Sequence, residues 1–212
     1  MPNTARRANG IATRSRLLET ATQLFAAGGY AGTSLRQIAA AAGVDLATLK
    51  YHFQDKPTLF AEVYRAGHEV LLGTLHPIVE ALASVETTEA LRSELQSVFG
   101  TVLAYLNENE DFVRMTIYRM LERPAEVIAL EQKLEEEMLA VVESAVARLE
   151  SIGIVRVVDT RALVVLLVTA LPTWWVSVRS RPGWLGATGL DSEKRFVTFF
   201  VDLMERQLLS PY

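Results

Sequence analysis

The chain is 212 residues long and half of them are apolar, so it can bury a core as one medium domain or two small ones. It has no cysteine, which excludes a disulfide framework and any cysteine-ligated zinc site. The net charge of −4 conceals a division: residues 1–56 carry seven basic residues against three acidic ones, or +4, which leaves the remainder at −8. A basic head on an acidic remainder suits contact with a polyanion at one end, or is simply solvated charge.

Residues 1–10 are polar, with Asn9-Gly10 as a turn signal, and read as a flexible arm from which Arg6 and Arg7 could reach a phosphate or a groove. The opening MPNTARRANGIATRSR lacks the apolar run of a secretory signal, so a cytoplasmic location is expected. A first helix is predicted over 11–28, with an apolar stripe of Leu17, Leu18, Ala21, Leu24 and Phe25, ended by Gly28-Gly29.

Residues 34–53, SLRQIAAAAGVDLATLKYHF, then read as two short helices around a tight turn. Ser34 and Gln37 have capping-box spacing, and Leu35, Ile38, Ala39 and Ala42 recur with helical period. Gly43 stands where a left-handed residue is wanted, and Asp45 can cap a second helix that turns Leu49 and Phe53 inward. This is the helix-turn-helix pattern, whose second helix enters the DNA major groove in DNA-binding versions. An ordinary antiparallel helix pair has the same signature.

Further helices are predicted over 57–73, a short one over 77–84 beyond a break at Gly73 and Pro77, then 87–108, 110–122, 125–152, 159–180 and 191–209. Glu135, Glu136 and Glu137 should be solvated, with Met138, Leu139, Val142 and Leu149 inside. Residues 181–190, RPGWLGATGL, read as a Gly-rich loop. Residues 162–178 are almost wholly apolar, a length at the lower edge of a membrane span, but they contain Pro172 and stand alone. A helix apolar all round is otherwise one buried on several sides, here by the body and a second subunit.

The order Arg16-Leu17-Leu18, Ala21, Leu24-Phe25, Gly29-Tyr30, Thr33-Ser34, Ile38-Ala39, Ala42-Gly43-Val44, Leu49, His52-Phe53, Lys56 and Leu59 resembles the TetR family of bacterial transcriptional repressors. The resemblance covers about residues 11–71. It implies an all-α chain: a three-helix helix-turn-helix DNA-binding domain at 11–71 after the arm at 1–10, then a helical effector-binding and dimerisation domain at 72–212. It implies DNA contacts from Thr33, Ser34 and Arg36, base contacts from Leu46, Ala47, Thr48 and Tyr51, and backbone contacts from Lys50, His52 and Lys56. Thr33 and Ser34 can equally be helix caps, and Arg36 a solvated charge. Lys50 departs from the Tyr usual in the family, and Ala47 from its Gly or Pro, which bears on base readout; a lysine still supplies a phosphate contact, with a full charge.

The family pairs its last two long helices across a two-fold axis. Here that assigns Leu163, Leu166, Leu167, Phe196, Phe199, Phe200 and Leu203 to a homodimer interface. An apolar pocket between the helices of the body would be lined by Phe99, Leu103, Phe112, Met115, Thr116, Tyr118, Arg119, Met138, Trp174 and Trp175, residues that plain core packing explains as well. Arg114 and Arg119 could orient an anionic ligand or lie at the surface. No phosphate loop, nucleophile motif or metal-ligand spacing is present in the sequence, so neither an enzyme nor a cofactor is expected. The reading is of a ligand-responsive regulator, a repressor released from a near-palindromic DNA operator by a small hydrophobic effector. The alternatives are a dimeric DNA binder governed by a protein partner or by abundance, and a helical interaction module without DNA binding.

Overall fold

The structure is a computed structural model that describes residues 2–122, 125–181, 183 and 190–209. Among these the regular elements are helices: α1 (Pro2–Gly28), α2 (Leu35–Ala41), α3 (Leu46–His52), α4 (Lys56–Ala83), α5 (Thr88–Glu108), α6 (Glu110–Glu122), α7 (Ala125–Ser151), α8 (Thr160–Ser180) and α9 (Leu190–Leu208). One isolated antiparallel bridge joins Val155 to Leu209.

Two expectations about helix ends are corrected. Residues 2–10, read as an arm, are the first turns of α1. Pro2 occupies the first helical position, where its missing N–H is no loss, and Ala5 to Ala8 are good helix formers around the weak Asn9-Gly10 pair. Helix α4 also runs unbroken through Gly73 and Pro77. A proline inside a helix removes the bond to the carbonyl four residues back. That carbonyl belongs to Gly73, which is exposed with open space where a Cβ would stand, so solvent can take the lost donor's place. The other helix limits agree with the sequence to within a residue or two. The predicted loop 181–190 lies mostly outside the described residues, as do Arg123 and Pro124.

The chain divides into two compact units, Met1–Glu69 with Asn109–Lys133, and Val70–Glu108 with Leu134–Tyr212. The first boundary falls within α4, two residues from the expected 71/72. Residues 109–133, assigned from sequence to the body, belong instead to the N-terminal unit, because α6 packs along α1.

The first unit is built on Leu17, Ala21, Phe25, Ile38, Leu49, Phe53, Leu59 and Phe60, each at or near zero exposure. Phe25 and Tyr30 meet the Phe60 ring edge-on at 4.9 and 5.1 Å, a preferred aromatic geometry. Helix α6 adds Phe112, Val113 and Met115, and crosses α4 so closely that a Cβ on Gly67 would stand 2.1 Å from the Phe112 ring. Arg119 and Glu131, both buried, form an ion pair at 2.8 Å, and the Arg119 guanidinium lies over the Tyr64 ring.

In the second unit, Met138, Leu139 and Val164 pack with Leu72, Leu75, Val142 and Val168. Helix α9 lies against α5, with Phe99 on Phe200 and Phe196 between Phe200 and Trp174. Asn107 ties three helices together: its Oδ1 accepts from Trp175 Nε1 at 2.9 Å and from Arg179, and its amide donates to Glu193. Glu135, Glu136 and Glu137 are exposed as the sequence implied.

A candidate nucleic-acid interface

The turn between α2 and α3 is fixed locally. Ser34 Oγ accepts from Gln37 N while the Gln37 side chain accepts from Ser34 N, a closed capping box. Gly43, at φ +67°, turns the chain left-handed after Ala42, and Val44 N donates to Ala39 O at 3.0 Å. Asp45 Oδ1 then accepts from Thr48 N at 2.6 Å and opens α3. Those hydrogen bonds to Thr48, backbone first, hold the Asp45 carboxyl below its ordinary pKa. Ile38 and Ala39 on α2 and Leu49 and Phe53 at α3 are buried, so the two helices share one core.

What α3 leaves outside is a patch one helical turn long. Ala47, Lys50 and Tyr51 stand at i, i+3 and i+4 and are all exposed, Tyr51 at 85% of its surface. Leu46 and Thr48 are half-buried at its edge, and His52 is half-buried between the rings of Tyr51 and Phe53. Lys50 and His52 lie in the last turn, where positive charge complements the helix dipole. Arg36 is exposed on α2.

Two of the residues assigned from sequence face otherwise. Thr33 is buried, and its hydroxyl donates to Leu24 O and Gly29 O at 3.0 and 2.9 Å. It holds the α1–α2 turn and is not presented to a phosphate. Lys56, the first residue of α4, is half-buried with its ammonium 4.2 Å from the centroid of the Tyr30 ring. Burial lowers its pKa, and the charge of Glu122 works in the opposite direction. Sequence reasoning missed Glu122 altogether: its carboxylate accepts from Ala31 N at 3.0 Å, a contact across 91 residues that carries no local signal.

The ten expected pocket residues fall into two sets. Phe112, Met115, Thr116, Tyr118 and Arg119 belong to the first unit, and Phe99, Leu103, Met138, Trp174 and Trp175 to the second. Most are buried; Tyr118 is partly exposed, and Thr116 spends its hydroxyl on Phe112 O. A surface groove of about 610 Å3 lies between α5 and α9, lined by Leu103 and Val197 and by the polar Gln96, Asn107, Glu193 and Asp202. Of the ten, Leu103 alone lines it.

Of the residues assigned to a dimer interface, Leu166 and Phe199 are open, at 54% and 61% exposure, and Val165, next to Leu166 in the chain, is open too. Leu163, Leu167 and Leu203 are half-buried. Phe196 and Phe200 are buried within the subunit by Trp174 and Phe99, so they are core residues and not the contact surface expected. Helix α8 is long and apolar enough by composition to cross a membrane. Among the described residues no group of three or more His, Asp or Glu is placed to hold a metal ion.

Residues 17–63 match the pattern of the bacterial regulatory proteins of the tetR family. The HTH-type transcriptional regulator AcrR of Shigella flexneri is 30% identical over 120 residues, 57% of this chain and 54% of AcrR. The HTH-type transcriptional repressor KstR2 of Rhodococcus jostii is 39% identical over 79 residues, 37% of this chain and 39% of KstR2. The chain thus spans about half the length of AcrR and less of KstR2. In fold it is similar to NalD, the secondary repressor of the MexAB-OprM multidrug efflux pump in Pseudomonas aeruginosa, with a TM-score of 0.68 and 24% identity over 96% of this chain and all of NalD. The pattern match coincides with the capped helix-turn-helix and the core that carries it, so that this segment is similar to the DNA-binding part of the tetR family of bacterial regulatory proteins.

Proposed function

We propose that this chain is a DNA-binding transcriptional repressor of the cytoplasm that works as a homodimer and is released from its operator by a small apolar effector. The observation that carries the reading is the outer face of α3, where a lysine and a tyrosine are exposed to solvent on a helix whose opposite side is locked into the core. An exposed tyrosine gives a hydroxyl and a flat ring to a groove, and a lysine gives a charge to phosphate. Thr48 and Ala47 supply a hydroxyl and a methyl contact to base edges, and Arg36 and Ser34 flank them. The basic balance of residues 1–56 agrees.

Dimerisation is supported by Val165, Leu166 and Phe199, an apolar surface on α8 and α9 that one subunit leaves open. The same pairing accounts for the composition of α8 without a membrane. A two-fold dimer would set two copies of α3 into successive major grooves, about 34–36 Å apart or somewhat more. An effector dislodges the dimer only by binding the released state more tightly, and a coupling of about 1–3 kcal/mol is typical. The names of NalD and KstR2, both repressors, favour repression over activation.

The test is an anisotropy titration of the chain against the DNA flanking its own gene and against random duplex, at several salt concentrations. Specific binding whose logarithm falls linearly with log salt is expected. Lys50→Ala should weaken binding on every sequence and lower the salt slope by about 0.9. Thr48→Ala should instead cost about 1–3 kcal/mol of discrimination at particular bases. A chain that binds neither duplex, or a pair of variants that bind as the parent does, would overturn the reading.

A further inference from the structure

Two neighbouring hydroxyls, Thr33 and Ser34, stand where phosphate contacts are expected, and neither has a hydrogen left to give. A DNA phosphate is ionised and only accepts hydrogen bonds, so a hydroxyl binds it by donating. Thr33 is buried and donates to Leu24 O and Gly29 O. Ser34 Oγ donates to Gln37 Oε1 at 2.7 Å and accepts from Gln37 N at 3.3 Å. What remains to Ser34 is a lone pair, for which a phosphate has no use.

The same bonds fix the Gln37 amide. Ser34 N can only donate, and it donates to the Gln37 side chain at 2.8 Å, so the atom it meets must be the carbonyl oxygen. Oε1 thus takes two hydrogen bonds from Ser34, and the amide cannot be turned over without setting one donor against another. Nε2, with its two hydrogens, is the end turned away from Ser34. Gln37 is exposed, so these hydrogens are open to a partner from outside. The first helix of a helix-turn-helix, which here is α2, crosses the DNA backbone while the second enters the groove.

We propose that Gln37 binds DNA phosphate in place of the two hydroxyls: Ser34 holds its carboxamide by the oxygen, and Nε2 donates to a phosphate oxygen. The proposal rests on the DNA reading above and adds a contact residue to it, with Ser34 as the residue that positions it. Because Oε1 is committed to Ser34, Gln37 cannot read adenine, which takes the donor and the acceptor of an amide together. Its contact is the same on every sequence. Gln37 is also neutral, so the contact releases no counterion.

The experiment is an anisotropy titration of the full-length chain against the DNA flanking its own gene and against random duplex, at several salt concentrations, with thermal melting of each variant. Ser34→Ala and Gln37→Ala each open one half of the capping box and should lower the thermal midpoint alike. Only Gln37→Ala should weaken binding, by about tenfold, the size of one hydrogen bond to a charged acceptor. The loss should be equal on both duplexes and leave the salt slope unchanged. Ser34→Ala should bind as the parent does, since the backbone N–H at position 34 still holds Oε1. Gln37→Glu keeps the box closed but sets a carboxylate oxygen where Nε2 was, and should bind more weakly still. Equal losses from Ser34→Ala and Gln37→Ala would give the contact to the hydroxyl or to the cap and overturn the proposal. A loss confined to one duplex would make Gln37 a base reader and overturn it too. If the unaltered chain binds no duplex, the DNA reading falls and carries this contact with it; if it binds and the Gln37 variants bind equally well, only the contact falls.

Discussion

Helix α3 and the pair α8 and α9 each leave side chains in solvent, but of opposite kinds. On α3 the open residues are Lys50, Tyr51 and Ala47, while every bulky aliphatic side chain is turned at least partly inward. On α8 and α9 the open residues include Val165, Leu166 and Phe199. A charged, hydrogen-bonding surface needs a polar or anionic partner, whereas an apolar one gains by being covered. The two surfaces thus call for different partners, and the same kind of substitution should have opposite consequences at each.

The largest contrast is on α9 itself. Phe196→Ala removes a ring stacked 3.6 Å from Trp174 and should destabilise the subunit by about 3–5 kcal/mol, independently of protein concentration. Phe199→Ala, three residues on, removes a ring that the subunit leaves 61% exposed, so its cost should emerge mainly in association. Its thermal midpoint should depend less steeply on protein concentration than that of the parent, since a partner that binds only the folded state stabilises by mass action and a weakened association contributes less. Sedimentation of both variants checks the assignment; if Phe196→Ala dissociates a dimer whose subunits remain fully folded, the division of α9 into a core side and a contact side is wrong.

The corresponding contrast on α3 is between Leu49 and Tyr51. Leu49→Ala should cost about 2–5 kcal/mol in denaturant unfolding, because the side chain is wholly buried. Tyr51→Ala should leave unfolding nearly unchanged and weaken DNA binding. Were Tyr51→Ala to destabilise the fold as much as Leu49→Ala, its exposure would be a poor guide to its role.

These two surfaces also differ in how far the sequence reveals them. The helix-turn-helix was legible because its determinants are local: Ser34 with Gln37, Gly43, Asp45 with Thr48, and a 3.6-residue period that turns Leu49 and Phe53 inward all fall within 20 residues. On α9 the period marked an apolar face but not which part of it the subunit itself consumes; Phe196 and Phe200 are taken by Trp174 and Phe99, from helices remote in sequence. Thr33 was misread for a related reason, since a hydroxyl at a helix start looks the same whether it turns outward or back to Leu24 O and Gly29 O. The break expected at Pro77 failed because a proline rule takes no account of a preceding exposed glycine. The grouping of α6 with α1, and Glu122 with Ala31, had no sequence signal at all.

A smaller effect separates local from tertiary stabilisation within the head. Ser34→Ala removes one side of the capping box and should cost about 0.5–2 kcal/mol. Ser34→Asp, which keeps an acceptor at the cap, should recover most of that loss. If the aspartate variant is no better than alanine, the hydroxyl matters for something other than capping α2.

The smallest expected effect is a difference in acid response. In the head, Asp45 is held below its ordinary pKa by hydrogen bonds from Thr48, and Asp55 by those from Thr58. In the second unit, Glu136 is lowered by Arg161, through a hydrogen bond and the opposite charge. A carboxyl with a depressed folded pKa contributes stability that is present above its unfolded value, about 3.9 for aspartate, and is lost as pH falls through the folded value. Both regions should therefore weaken below about pH 4, and both losses should be modest because all three groups are exposed. Salt tells them apart. The Asp45 and Asp55 partners are neutral donors and respond little to ionic strength, while the Glu136–Arg161 attraction is screened as salt rises. In acid titrations followed by unfolding, Asp45→Asn should flatten the low-pH slope equally at low and high salt, because an asparagine still caps α3 without titrating. Arg161→Leu should flatten it at low salt and scarcely at high salt, and the reverse pattern would mean that the acid sensitivity of the head comes from charge pairs and not from its caps.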